Sequence, residues 1–196
     1  MDLKTYTKEA QRTAKDQSQE TICRVQNILI GGSNVLTTTA HIMDPQRSNN
    51  LIHGILGMVG EMGELKLATE TGKLYEILEE VGDFCWYGAL VARAMQWDMS
   101  LYLCKDNFGN YWANDMVQGV GQLAEHLKKW LMYGKPISDV QMLNAWCDAM
   151  GAAVHRAGDW DSFENEVLKG NIDKLRLRFP EQFTEKAAIE RADKAG

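Results

Sequence analysis

The stretch GMVGEMGELKLATETGKLYEILEEVGDFCWY, residues 57–87, decides the fold. It contains two pairs of carboxylates whose members are three residues apart, Glu61 with Glu64 and Glu80 with Asp83. Residues three apart lie on the same face of an α-helix, one turn above the other. Apolar residues at helical spacing flank both pairs, as a bundle core requires. We therefore predict two helices joined by a short link at Thr71-Gly72.

The link would fold the second helix back along the first, so that the two acidic pairs face each other. Carboxylates that converge across a helical interface repel one another unless a cation joins them. Oxygen ligands suit a hard cation, for which Mg²⁺ is the usual choice and Mn²⁺ is compatible. The predicted ligands of this divalent ion are Glu61, Glu64, Glu80 and Asp83.

Two motifs resemble those of the all-α, MazG-like nucleoside triphosphate pyrophosphohydrolases. The first is Glu-x-x-Glu followed, after a gap of fifteen residues, by Glu-x-x-Asp within EEVGDFCWY, residues 79–87. The second is NIDKLRLRFPEQF, residues 171–183, which is similar to that family's C-terminal segment N-x-x-K-L-x-x-R-[FY]-P-x-x-F. The resemblance covers about residues 50–96 and 166–183.

The resemblance implies an all-α helical bundle completed by oligomerisation, as a homodimer or a homotetramer. It also implies a Mg²⁺-dependent enzyme that cleaves a nucleoside triphosphate, ribo or deoxy, to the monophosphate and pyrophosphate. One of the glutamate ligands, or Glu79, would take the proton of the attacking water. Asn171, Lys174 and Arg178 would bind the phosphates, and Lys73 is a further candidate. The preferred base and sugar stay open, as does the choice of the general base.

Composition bounds the alternatives. The 196 residues suffice for one domain, which we place at 1–196, and 45% hydrophobic with 24% charged residues is ordinary for a globular protein. A net charge of −6 argues against binding a nucleic-acid polymer. The four scattered cysteines fit neither zinc nor a disulfide framework. The polar N-terminus and the lack of a membrane-length apolar run predict a cytoplasmic protein with no membrane partner.

Helical periodicity extends along most of the chain. The predicted order is a helix, or two, over 3–30, a loop over 31–50, the metal-binding hairpin over about 51–97, an inserted helix pair over about 111–157, and the C-terminal phosphate-binding segment over about 166–183. Within these, Ser48-Asn49-Asn50 is a predicted N-cap run, helices are expected at about 51–69, 73–97, 111–133 and 138–157, and a short helix is expected at 162–168. The 31–50 loop either connects helices or closes over a substrate.

Glycines at every third position, Gly54, Gly57, Gly60 and Gly63, are costly in a helix and predict close approach by another helix or a ligand. Residues 86–95 are apolar on nearly every side, which predicts burial on more than one face; contacts in a dimer would explain it.

Other interpretations use the same residues. A di-iron bundle requires Glu-x-x-His, which the sequence lacks. A non-catalytic helical assembly protein and a dUTPase-like variant of the same fold are both compatible with the pattern. Trp86 and Tyr87 either stack on a base or pack in the core, and His53 is expected in the core or as a cap.

Overall fold

The computed structural model describes residues 1–13, 45–181, 183, 184, 186 and 189, and every regular element in this part of the chain is helical. This confirms the all-α class for the described residues. The elements are α1 (Leu3–Thr13), α2 (Pro45–Thr71), α3 (Leu74–Met95), α4 (Met99–Tyr102), a 3-10 helix (Lys105–Ala113), α5 (Met116–Tyr133), α6 (Asp139–Arg156), α7 (Trp160–Ser162), a π-helical segment (Phe163–Leu168) and α8 (Lys169–Arg178).

Helices α2 and α3 form the predicted antiparallel hairpin. The turn is made at Gly72, whose φ of 71° lies in the left-handed region that glycine adopts without a side-chain clash. At the opposite end of the hairpin, Nε of Arg47 donates to the backbone oxygen of Ala94 at 2.8 Å, so the start of α2 lies beside the end of α3. The two acidic pairs thus lie on helices that run side by side.

The first residues of α2 correct one prediction. The helix begins at Pro45, a residue that favours the first helical position, whereas the sequence suggested a loop up to residue 50. Ser48, Asn49 and Asn50 are therefore buried inside the helix and do not cap it. Neither amide atom of Asn49 has a hydrogen-bond partner within the described structure. The rest of that loop, and the predicted helix beyond Thr13, lie outside the described residues.

Two of the four regularly spaced glycines lie where α3 comes close. A Cβ on Gly54 would lie 3.0 Å from the backbone oxygen of Tyr87 and from the backbone nitrogen of Val91. A Cβ on Gly57 would overlap the Tyr87 ring. Gly60 and Gly63, in contrast, have nothing within 4 Å of that position, so the prediction of close contact is wrong for them within the described structure. They lie on the exposed side of α2.

Of the inserted pair, α6 packs against the C-terminal half of α3, and α5 packs against α2. The indole Nε1 of Trp146 on α6 donates to the backbone oxygen of Gly88 at 2.9 Å, and a Cβ on Gly88 would lie 2.3 Å from the sulfur of Met150. Residues 88–92 of α3 are buried as a result. The burial that suggested dimer contacts is therefore produced inside the chain.

The boundaries of the inserted pair agree with the sequence patterns at most ends. Ser138 caps α6 as predicted, and Gly134 ends α5 in the left-handed conformation. The predicted start of α5 was too early, because residues 105–113 form a 3-10 helix and the cap of α5 is Asp115.

The C-terminal helices follow one another without a break. The short helix expected at 162–168 does not end there, because the helical structure continues through Gly170 in α8. Helix α1 packs against both α3 and α8. Its Arg12 donates to three backbone oxygens just after α8, at Phe179, Pro180 and Glu181. None of the helices in the described ranges combines the length and apolar content needed to cross a bilayer.

Closely packed and openly exposed helical glycines predict opposite effects of the same substitution. Gly54→Ala should lower the free energy of unfolding by about 1–3 kcal/mol, because the added methyl forces two backbones apart. Gly121→Ala, in open space on α5 and outside the exposed side of α2, should raise it by up to about 1 kcal/mol through helix propensity. Urea unfolding of both variants checks this, and equal effects would contradict the observed packing.

Candidate metal centre

The hairpin brings three of the four predicted ligands together. Glu61 and Glu64 on α2 and Glu80 on α3 each present a carboxylate oxygen, and these oxygens lie within 4.8 Å of one another. Glu64 is exposed, whereas Glu61 and Glu80 are partly shielded between the helices. The i, i+3 spacing on α2 and the antiparallel return of α3 are sufficient to produce this arrangement.

Burial and electrostatic repulsion together raise the pKa values of two carboxylates in this cluster. Burial, followed by the charges of Asp83, Glu64 and Glu80, raises the pKa of Glu61 to about 8. Burial and the charges of Asp83 and Glu64 also raise the pKa of Glu80. A hydrogen bond between Glu61 and Glu80 raises the pKa of the first and opposes the rise in the second. Without a cation, this pair therefore holds a proton more tightly than separate carboxylates would.

Asp83, the fourth predicted ligand, is bound by cationic and amide groups from α8. Nζ of Lys174 lies 2.6 Å from each of its two carboxylate oxygens. Nδ2 of Asn171 donates to Oδ1 at 2.6 Å. Asp83 is not part of the group of three carboxylates, although its charge raises the pKa of Glu61. Two of the predicted phosphate-binding residues thus meet a predicted metal ligand.

Asn171 is itself held by α1. The hydroxyl of Tyr6, completely buried, lies 3.1 Å from Oδ1 of Asn171 and 3.1 Å from the backbone oxygen of Gly82. A Cβ on Gly82 would lie 2.9 Å from Cβ of Asn171, so the missing side chain lets α8 approach α3 closely. No motif in the sequence singles out Tyr6. Its contact with Asn171 spans 165 positions, and no local pattern indicates it.

A groove of about 300 Å³ opens next to this network, between α3 and α8. Its walls include Tyr75 and Leu78 on α3, and Gly170, Asn171 and Lys174 on α8. Tyr75 is largely exposed. The Lys174 side chain is only 16% exposed, and its ammonium also lies 3.3 Å from Oε1 of Glu79. The ammonium group is therefore shared between Asp83 and Glu79, and Glu79 is one of the groove residues.

The remaining predicted phosphate ligands occupy different places. Arg178 lies one turn beyond Lys174 on α8, with its guanidinium carbon 5.9 Å from the centre of the Phe179 ring. Lys73 directly precedes α3 at the hairpin turn, and its ammonium lies 2.8 Å from Oε1 of Glu76. The structure thus places Arg178 on the same helix as Lys174, and places Lys73 in an exposed ion pair.

The aromatic residues after Asp83 are used in packing. Nε1 of Trp86 donates to the backbone oxygen of Ala10 at 3.2 Å, which fixes α1 against α3. The Tyr87 ring covers Gly57 and lies 5.4 Å from the His53 ring. Burial lowers the pKa of His53, whose side chain is partly buried beside these rings.

The donor set fits a hard divalent cation. All the converging ligand atoms are carboxylate oxygens, which Mg²⁺ and Mn²⁺ prefer and which soft metals do not. A bound cation would also offset the repulsion that, after burial, raises the pKa of Glu61.

No protein-family model, curated protein or solved structure matches this chain. The MazG-like resemblance is therefore carried by the two sequence motifs alone and stays a prediction.

The raised pKa of Glu61 predicts how the stability of the metal-free protein depends on pH. The folded state keeps a proton that the unfolded chain releases near pH 4.5, so the free energy of unfolding falls as pH rises from about 5 to 8. Because the side chain is partly solvated, we expect a loss of about 2 kcal/mol, less than full linkage would give. Urea unfolding in EDTA, compared with Glu61→Gln, isolates this effect. The prediction is contradicted if the free energy of unfolding of the wild type falls no further over this pH range than that of Glu61→Gln.

Proposed function

We propose that this protein is a Mg²⁺-dependent nucleoside triphosphate pyrophosphohydrolase of the MazG-like type. The observation that carries the proposal is the convergence of Glu61, Glu64 and Glu80 beside an aspartate held by Lys174. Carboxylates that bind a metal and a cation that binds phosphate are the two components that cleavage between the α and β phosphates requires. Both motifs that resemble the family contribute to this one region.

When bound, Mg²⁺ would offset the charge of the triphosphate and lower the pKa of a water, which could then lose a proton and act as the nucleophile toward phosphorus. Glu61, Glu64 and Glu80 would hold it, together with Asp83, and Mn²⁺ would suit the same oxygens. A general base at neutral pH needs a proton affinity near that pH. Before a metal binds, burial and the neighbouring carboxylates raise the pKa of Glu61 to about 8, so a glutamate of this cluster that the metal leaves uncoordinated would suit that role.

The residues of α8 would bind and orient the substrate. Lys174 is close enough to the carboxylates to contact a phosphate bound at the metal, because its ammonium already contacts Asp83. Arg178, one turn further, would provide a two-pronged contact to the same polyphosphate. The groove lined by Tyr75 and Leu78 continues from Lys174 and offers an apolar surface for the nucleoside. A cytoplasmic location stays a prediction.

The proposal includes a homo-oligomer, as the resemblance implies. What supports it is the exposed side of α2, where Leu56 is 60% and Leu67 is 62% exposed. Gly60 and Gly63 lie between these leucines with open space in front of them. Small residues flanked by leucines allow two helices to approach closely, and a second copy of the same face would cover all four residues.

A non-catalytic helical assembly protein is the second candidate. The same exposed apolar side of α2 favours it, because such a surface serves a partner whether or not the carboxylates bind a metal. The two candidates differ in one measurable property, the release of pyrophosphate from a nucleotide.

The enzyme proposal predicts that a panel of nucleoside triphosphates, with dUTP included, yields monophosphate and pyrophosphate only when Mg²⁺ is present. Glu64→Gln and Asp83→Asn should each lower kcat/KM by at least about a hundredfold, because each removes a metal ligand. Glu70→Gln is the matched control, since Glu70 lies on the same helix in an exposed pair with Lys66. Wild-type rates in Glu64→Gln and Asp83→Asn, or no turnover of any nucleotide, would exclude the proposal.

The oligomer proposal predicts that Leu56→Glu reduces the mass measured by light scattering to that of one chain. Val140→Glu is the matched control, because Val140 is an equally exposed apolar residue on α6. A wild-type protein that already has the mass of a monomer would contradict the proposal.

A further inference from the structure

We propose that Lys174 is a latch that keeps Asp83 from the divalent ion until an anion of the phosphate class takes over its ammonium group. The inference depends on the proposed function, because it concerns the order in which that site binds its metal and its substrate. It assigns to Lys174 a role toward the metal, in addition to its contact with phosphate.

The geometry at Asp83 leaves little room for a cation. Its Oδ1 accepts from Nδ2 of Asn171 and from Nζ of Lys174, both at 2.6 Å, and its Oδ2 lies 2.6 Å from the same ammonium. Mg²⁺ binds carboxylate oxygens at about 2.1 Å. An ion on either oxygen would therefore lie beside a positive charge, in a region where both charges are partly removed from water. Lys174 and the metal compete for Asp83.

The neighbouring carboxylates show that Asp83 belongs to the same electrostatic unit. Its charge is the largest charge contribution to the raised pKa of both Glu61 and Glu80. Yet the three glutamates converge without it. Release of Asp83 from Lys174 would add a fourth carboxylate at short range, and a site with more anionic ligands binds a divalent ion more tightly.

Lys174 has a second acceptor, Glu79, which lines the groove. Its ammonium lies 3.3 Å from Oε1 of Glu79, and its side chain lines the groove between α3 and α8. A small movement of a flexible side chain would therefore carry the charge from Asp83 toward an anion in the groove. Phosphate binding and metal binding then strengthen each other, because each draws one partner out of the Asp83–Lys174 pair.

Calorimetric titration with Mg²⁺ alone tests the latch in four proteins, namely wild type, Lys174→Met, Asp83→Asn and the double variant. Lys174→Met should tighten Mg²⁺ binding about tenfold when Asp83 is present and less than about twofold in the Asp83→Asn background. Loss of a nearby positive charge by itself would tighten binding equally in both backgrounds, which would overturn the proposal. No tightening in either background would also overturn it.

Two further variants separate the latch from a general effect of charge or folding. Lys169→Met removes an exposed, ion-paired lysine from the start of α8, the helix that carries Lys174, and should leave Mg²⁺ affinity within about twofold of wild type. Lys174→Arg keeps a cation on both oxygens of Asp83, and its affinity should stay as low as that of wild type. Lys174→Gln replaces Lys174→Met if the latter does not fold. Tight binding by Lys174→Arg would contradict the latch.

Inorganic phosphate serves as the probe for the effect of a bound anion on Mg²⁺ affinity. After correction for its own complex with Mg²⁺, it should tighten Mg²⁺ binding to wild type and leave Lys174→Met unchanged. Equal effects on both proteins would overturn the coupling. If the protein hydrolyses nucleotides but the effects of Lys174→Met and Asp83→Asn on Mg²⁺ affinity are additive, the latch is excluded and the proposed function stands. If the two variants are coupled in Mg²⁺ affinity but no nucleotide is hydrolysed, the proposed function is excluded and the latch stands. If none of the proteins binds Mg²⁺, both proposals are excluded.

Discussion

The carboxylate of Asp83 is the point on which the described structure depends most, because three separate parts of the chain meet there. Helix α3 supplies the carboxylate, α8 supplies Lys174 and Asn171, and α1 supplies Tyr6, whose hydroxyl reaches Asn171. A partly buried carboxylate needs such partners, because leaving it unpaired would cost several kcal/mol. The same bonds that satisfy Asp83 therefore fix both terminal helices of the described structure against the central hairpin.

Close helix contacts make this meeting possible. Gly82 stands directly before Asp83 and lets the backbone of α8 come near enough for Asn171 to reach the carboxylate. Gly54 and Gly57 do the same between α2 and α3, where they allow the two acidic pairs to approach. In each place the chain uses a residue that weakens its own helix, and packing between helices compensates for the lost propensity. The distances in the candidate site follow from these contacts.

The sequence was most informative where the pattern was local. The i, i+3 carboxylate pairs and the glycine turn predicted the hairpin and the convergence of Glu61, Glu64 and Glu80, because helical spacing fixes those positions. It failed where tertiary packing overrides a local signal. Ser48 to Asn50 look like a cap and are buried within a helix, and the burial of α3 by α6 was attributed to a second subunit. The contact of Tyr6 with Asn171 links positions 165 apart, which no periodicity encodes.

The clustered carboxylates are difficult to explain as a device for stability. The pKa of Glu61, about 8, means that the fold holds this group in its neutral form at a cost, and a glutamine in its place would remove the cost without changing the shape. Elsewhere the chain pairs its acids locally, as with Glu70 and Lys66 or Asp173 and Lys169. Here the nearest lysine, Lys174, is directed to Asp83 and leaves the three glutamates without a cation among the described residues. Such an arrangement is unfavourable alone and would become favourable if a divalent ion joined its oxygens, which is the physical reason for proposing a binding site here.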